Sequence, residues 1–167
     1  TGFIMKKFIL EQKSERNGRP IQWPYLRLAE VFLSYAEIIN ECNEGPTAEA
    51  YQLVNKIRNR VGLKSLPEEL SKEEFREAVL KERALELGFE EVRWFDLVRW
   101  NRVEDFTKDL YGLESTALDN PQKPTRFAYK KYKMQNRFWK NNWDTKWYLA
   151  PIPFEEINKE YGMTQNP

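Results

Sequence analysis

The run Lys81-Glu-Arg-Ala-Leu-Glu-Leu-Gly-Phe-Glu-Glu-Val-Arg-Trp-Phe-Asp-Leu-Val-Arg-Trp100 restricts the folding of this chain more than any other stretch. It interleaves charges and large aromatics too closely for either a plain surface helix or a plain core helix. Arg83 and Glu86, Glu90 and Arg93, and Asp96 and Arg99 each stand three residues apart, a spacing that makes neighbours on a helix. Trp94, Phe95, Leu97, Val98 and Trp100 leave almost no side of the second half free of apolar surface. Charges held among indoles must be paired, because an unpaired buried charge is very costly. The run therefore predicts a packed polar seam, with Glu82 and its charged neighbours fixing how one helix sits against others.

At 167 residues the chain fits one domain, residues 1–167, and can bury about 70% of its unfolded surface. It begins at Thr1 rather than at methionine, which reads as a piece of a larger precursor. No apolar stretch approaches the roughly 20 residues needed to cross a bilayer. The absence of histidine removes Ser-His-Asp and Cys-His pairings, HExxH zinc sites and the Glu-x-x-His ligands of di-iron bundles. Neither a metal nor another cofactor is expected. Single Cys42 has no partner for an internal disulfide or a CxxC site, and reads as a small buried hydrophobe in a helix. Net charge is +1, which argues against a surface built throughout for a polyanion. Its distribution is uneven: residues 24–106 hold 12 Lys/Arg against 17 Asp/Glu, whereas residues 122–148 hold 8 against the single acid Asp144.

Residues 1–22 read as a strand or extended lead-in followed by a turn at Asn17-Gly18-Arg19-Pro20. Pro24 suits the opening turn of a helix. That helix has a polar stripe of Arg27, Glu30, Ser34, Glu37, Glu41 and Glu44, and an apolar face of Tyr25, Leu28, Ala29, Phe32, Ala36 and Ile39. Gly45-Pro46 stops it, Thr47 caps a second helix, and Gly62 supplies a left-handed end. Residues 24–62 thus predict a helical hairpin resembling one tetratricopeptide-like unit. Ser71-Lys-Glu-Glu74 is a capping box that opens the helices of residues 71–103, with a kink at Gly88. Residues 107–150 are an aromatic loop and hairpin region, with loop-like 107–128 followed by two strands around Asn141-Asn142. Residues 151–167 form an extended and irregular C-terminal segment with a short helix at 154–160.

Four stretches occur together in one family. Arg27-x-Ala-Glu-Val-x-Leu-x-Tyr-Ala-Glu37, Asn55-x-x-Arg58-x-Arg-x-Gly-Leu63 and the Glu82 to Trp100 run come first, followed by Tyr148-Leu-x-Pro-Ile-Pro153 with Gln165-Asn-Pro167. In this order they resemble the SusD/RagB-like outer-membrane nutrient-binding lipoproteins. In that family Arg27, Glu30, Glu37, Arg58, Glu82, Arg83, Glu86, Glu90, Arg93, Trp94, Asp96, Arg99 and Trp100 fall on signature positions. A glycine often stands where this chain has Glu91, which touches backbone geometry more than function. The resemblance implies a mainly α fold: a tetratricopeptide-like hairpin with further helices, a short β-hairpin and long irregular segments. It also implies an outward-facing peripheral lipoprotein of the outer membrane, held by an N-terminal lipid outside this chain. Such a protein sits as a lid on a SusC-like TonB-dependent transporter and captures oligosaccharide or polysaccharide, without catalysis.

Other readings compete with these. Glu82 and Glu86 lie one turn apart, but glycoside hydrolysis needs two carboxyls facing across the bond, about 5–5.5 Å or about 6.5–9.5 Å apart. Arginine beside a carboxylate also holds it ionised, the wrong state for a general acid. The charged run is therefore read as structural, and a glycan hydrolase as the weaker alternative. Arg27, Glu30 and Glu37 form either an exposed stripe, which the sequence alone favours, or a buried pairing to the third helix, which the resemblance raises. In the aromatic region Trp143 could supply a stacking face for a pyranose, Trp139 a second wall and Asn142 a hydrogen-bond partner, with Arg137, Asn141, Asp144 and Trp147 nearby. The competing reading packs these rings on the helices, since large rings dominate cores. Basic residues among aromatics also occur in single-strand nucleic-acid binders, but the acidic remainder of the chain opposes a nucleic-acid partner. A helical interaction scaffold, docking a partner helix on residues 24–62 with no ligand of its own, stays open.

Overall fold

The computed structural model describes Lys7 and residues 23–120, 122–135 and 138–166. The expected strand and turn within residues 1–22, and Arg137, lie outside these residues. Packing divides the chain into two compact units that meet in sequence at Asp96 and Leu97.

In the first unit, α1 (Leu28–Cys42) and α2 (Ala48–Arg60) form the expected helical hairpin, and α3 (Lys72–Glu86) packs on α1. Thr47 caps α2 by accepting from the Ala50 amide, and Ser71 and Glu74 close the capping box of α3. Gly62, at φ +75°, ends α2. Its amide reaches the Asn59 carbonyl at 3.1 Å and the Leu63 amide reaches that of Arg58 at 3.0 Å, a Schellman closure. Leu33, Ala36 and Ile39 of α1, Ala50, Val54 and Ile57 of α2, and Phe75 and Val79 of α3 make one continuous core.

The buried side of α1 differs from the apolar face expected. It joins Leu33 and Ala36 to polar Glu37 and Asn40, whereas Tyr25 and Leu28 are exposed. Partners on α3 explain the rotation. The buried Asn40 amide donates to the Lys72 carbonyl at 2.9 Å, and the Lys72 ammonium caps the end of α1 at the Glu41 and Asn43 carbonyls. Cys42 is exposed rather than buried, because α1 turns that position away from the core.

The chain does not kink within one helix at Gly88. Helix α3 ends at Glu86, and α4 (Val92–Arg99) begins after a turn in which Phe89 and Glu91 both have φ +63°. Side chains other than glycine adopt this left-handed region at a cost of roughly 1–2 kcal/mol. A glycine at position 91 would not carry this cost. Glu91→Gly is expected to stabilise the protein by about 0.5 kcal/mol, read as a raised urea midpoint. A right-handed or extended Glu91 would reverse the sign, because glycine then costs about 0.5–1 kcal/mol.

In the second unit, α5 (Val103–Thr107) precedes the antiparallel strands β1 (Tyr111–Ala117) and β2 (Phe127–Lys133). The hairpin therefore lies earlier than expected, and its strands do not flank Asn141-Asn142. Asp119 shapes the connection. Its carboxylate accepts from the Thr125 amide at 3.0 Å, the Arg126 amide at 3.2 Å and the Thr125 hydroxyl. These bonds, led by the Thr125 hydroxyl, hold Asp119 below the usual aspartate range. Gly112 faces Tyr132, whose ring lies where a β-carbon would stand, at 2.5 Å. Asn141 and Asn142 instead end α6 (Phe138–Asn142), followed by a 3-10 turn (Thr145–Tyr148) and α7 (Phe154–Ile157). The aromatic run is helical because its rings converge on one residue, Phe106, rather than alternating across a pleat.

Candidate functional site

The charged seam is the most developed polar arrangement of the first unit. Arg83 Nε donates to Asp96 at 2.8 Å, with the two side chains only 4% and 2% exposed. Arg83 Nη1 also reaches the Ser34 hydroxyl at 2.9 Å, tying α3 to α1. Arg27 donates to Glu86 at 2.6 Å, to Glu90 at 2.7 and 2.8 Å, and to the Glu86 carbonyl at 2.6 Å. Lys7 adds bonds to the Glu86 and Gly88 carbonyls, each at 2.9 Å, and to the Glu90 carboxylate. Two cations thus hold the carbonyls at the C-terminal end of α3, where the helix dipole favours positive charge.

The seam differs in wiring from the three-residue neighbours expected. Arg83 pairs with Asp96 and not with Glu86, while Glu86 and Glu90 pair with Arg27. Ending α3 at Glu86 places these side chains on separate elements, and the pairs then join helices. Glu37 is buried, whereas Glu30 is half-buried with no ion-pair partner among the described residues. Trp94 and Phe95 keep exposed faces, so they do not enclose the charges as expected. Arg93 is half-buried, and the exposed Arg99 lies 5.6 Å from the ring of Trp100.

The second stretch, residues 55–63, is explained by its bonds. Asn55 accepts from the Leu66 amide at 2.8 Å, and Arg58 donates to the Lys64 carbonyl at 2.8 Å and to Glu82 at 2.6 Å. Arg60 donates to Glu86 at 2.8 and 2.9 Å. Glu82, Glu86, Glu90 and Asp96 are each therefore committed to a cation. Burial opposes ionisation of Glu90, but Arg27 and Lys7 outweigh it and hold the carboxyl below its usual value of 4.5. Arg76 does the same for Glu41. A carboxylate with a depressed folded-state pKa contributes stability above its unfolded value, and that contribution is lost as pH falls through the folded one. Urea midpoints should hold steady from pH 7 to about 5 and fall below about pH 4.5, with Glu90→Gln flattening the fall.

In the second unit the aromatic rings assemble around Phe106. Trp143 stacks on it at 4.4 Å with the planes 14° apart, and Trp139 and Tyr148 meet it edge-on at 5.7 and 5.9 Å. Trp143 Nε1 and Tyr148 Oη are buried there without hydrogen-bond partners among the described residues. Burial, followed by the nearby Glu104 charge, pushes the Tyr148 phenol up. Of the residues expected to touch sugar, Trp139 and Trp143 thus come together, and one face of Trp143 is already occupied. Asn142 is exposed, and its carbonyl accepts from Trp147 Nε1 at 3.3 Å.

Trp147 lines a cavity of about 290 Å³ with Lys146, Leu149, Pro151, Gln165 and Asn166. The Gln165 amide accepts from the Ile152 N–H at 2.9 Å and donates to the Ile152 carbonyl at 3.0 Å, as a paired strand would. Asn166 donates to the Ala150 carbonyl at 2.6 Å. The fourth stretch therefore builds this cavity by fastening residues 165–166 to residues 150–152. Sequence reasoning named Trp147 only as a neighbour. The signal available was the amide pair Gln165-Asn166, whose side chains can each bond backbone.

A family model for the SusD family matches residues 1–167. SusD-like protein P25 of Formosa agariphila is 35% identical over 136 residues, 78% of this chain and 21% of that protein. A crystal structure of a SusD-like protein from Bacteroides fragilis is similar with a TM-score of 0.69 at 35% identity, covering 86% of this chain and 25% of that one. The crystal structure of a SusD homolog from Bacteroides thetaiotaomicron gives 0.63 at 30% identity, covering 88% and 27%. The chain spans about a fifth to a quarter of the length of these relatives. Its four ordered stretches, the seam they build and these likenesses agree, and the chain belongs to the SusD family.

Proposed function

We propose that this chain is the C-terminal part of an outer-membrane surface lipoprotein that captures oligosaccharides and passes them to a SusC-like TonB-dependent transporter. Membership of the SusD family carries this reading. The commitment of the seam carboxylates to arginine and lysine supports binding without hydrolysis, since no pair of them faces an open cleft as acid and base. Within this chain, our reading gives sugar contact to Trp147 and Asn142, with Trp139 and Trp143 spent on packing around Phe106. Trp147 borders a cavity large enough for a sugar ring, whereas Trp143 is stacked on Phe106. Calorimetric titration of an oligosaccharide panel into the full-length protein tests the reading, and Trp147→Ala should weaken binding about tenfold. Product analysis after long incubation should show intact sugar; released fragments would make the protein a hydrolase.

One observation favours the scaffold reading. Leu28, Val31, Tyr35 and Ile38 form an exposed apolar row along α1, at the spacing that suits helix docking. A full-length protein that takes up none of the panel sugars would favour it.

A further inference from the structure

A second cavity, of about 410 Å³, opens in the first unit between the start of α1 and the end of α2. Its apolar side is Leu28, Ala29, Phe32 and Ile57, and its polar side is Arg27, Lys56 and Arg60. The three cations are not equally engaged. Arg27 is committed to Glu86 and Glu90, and Arg60 reaches Glu86 through Nη2 alone. Lys56 has no carboxylate partner among the described residues, and its ammonium stands 4.7 Å from the centre of the Phe32 ring. Lys56 and Arg60 lie one turn apart on α2, where like charges repel.

A separate feature adds positive potential. Among the described residues no side chain caps the N-terminus of the 15-residue α1. The first amides donating into the chain are those of Glu30 and Val31, which leaves the Leu28 and Ala29 amides without partners among the described residues. The end of a helix dipole and its open amides favour an anion. The cavity therefore combines an exposed ammonium with no carboxylate partner among the described residues, an exposed guanidinium paired through one nitrogen, a helix start and an apolar wall.

We propose that this cavity is a subsite for an acidic sugar, with the C–H face of the ring against the apolar wall of Leu28, Ala29 and Phe32 and its anionic group held by Lys56 and Arg60. The inference rests on the glycan-binding reading and narrows it to glycans carrying carboxylate or sulfate. A neutral sugar would leave the cations unmatched. A small inorganic anion would leave Leu28, Phe32 and Ile57 uncovered.

The test is calorimetric titration of the full-length protein with trigalacturonate, its methyl ester, a sulfated galactotriose and neutral galactotriose. Trigalacturonate or the sulfated sugar should bind, and the preferred one identifies the anion. The neutral pair should bind at least about tenfold more weakly, the worth of one charge-assisted contact. Lys56→Gln should abolish that preference with an unchanged melting temperature, because Lys56 holds no structural ion pair. Raised salt should weaken the acidic sugar and spare the neutral ones. Equal binding of charged and neutral sugars, or a preference that survives Lys56→Gln, overturns the proposal while leaving glycan capture intact. No binding of any of the four, with the broader oligosaccharide panel also silent, overturns both readings together.

Discussion

Asp96→Ala is expected to destabilise the protein by about 3–5 kcal/mol, because it leaves the Arg83 guanidinium buried without its charge partner. For a chain of this size that corresponds to a fall in melting temperature of about 10 °C or more. The loss is an uncompensated charge rather than a lost attraction, which a second variant separates. Arg83→Met combined with Asp96→Leu removes both charges, and should recover most of the stability, as buried pairs replaced by apolar side chains often do. A thermal melt of the single and double variants decides it. If Asp96→Ala melts normally, the pair is not a structural joint and the seam must be read again as a binding or reacting surface. Sugar binding measured well below the melting temperature should survive in Asp96→Ala, since no part of either cavity is lined by Arg83 or Asp96.

Phe106→Ala should cost about 3–5 kcal/mol, the usual loss for a buried ring truncated to a methyl group. Phe106 is 4% exposed and supports Trp139, Trp143 and Tyr148 at once, so its removal leaves three aromatic side chains without their common surface. The readout is local. The near-ultraviolet circular dichroism should fall sharply as the stacked and edge-on indoles lose their fixed geometry. The far-ultraviolet signal should fall little, because the long helices α1, α2 and α3 lie in the other unit. A parallel collapse of both signals would mean that the two units unfold as one.

Much of the first unit was legible beforehand. The Ser71 and Glu74 capping box, the Thr47 cap and the Gly62 stop are local devices, and each closes hydrogen bonds within a few residues of itself. The inward face of α1 was not legible. Tyr25 and Leu28 look like core residues by periodicity, yet Glu37 and Asn40 are inside, and the Lys72 carbonyl meets the Asn40 amide there. Hydrophobic pattern ranks side chains by their cost in water, and cannot register a partner that comes from 32 residues away. The hairpin was misplaced for a related reason. Aromatics are as common in strands as in cores, and Phe106, the residue that gathers them, stands 33 residues before Trp139, on another helix.

The chain's own order of residues determined the caps and stops of α2 and α3, that the charges of the seam would be paired, and which family the chain belongs to. Caps, stops and repeated side-chain chemistry act over one or two turns and can be read without knowing the rest. Tertiary structure decided the partners: Arg83 with Asp96, Arg27 with Glu86 and Glu90, Arg58 with Glu82. It also decided which tryptophan faces a cavity and where an ammonium stands without a carboxylate. The reason is physical. These ion pairs join groups 2.6 to 2.8 Å apart, and that closeness exists only after the backbone has turned between them.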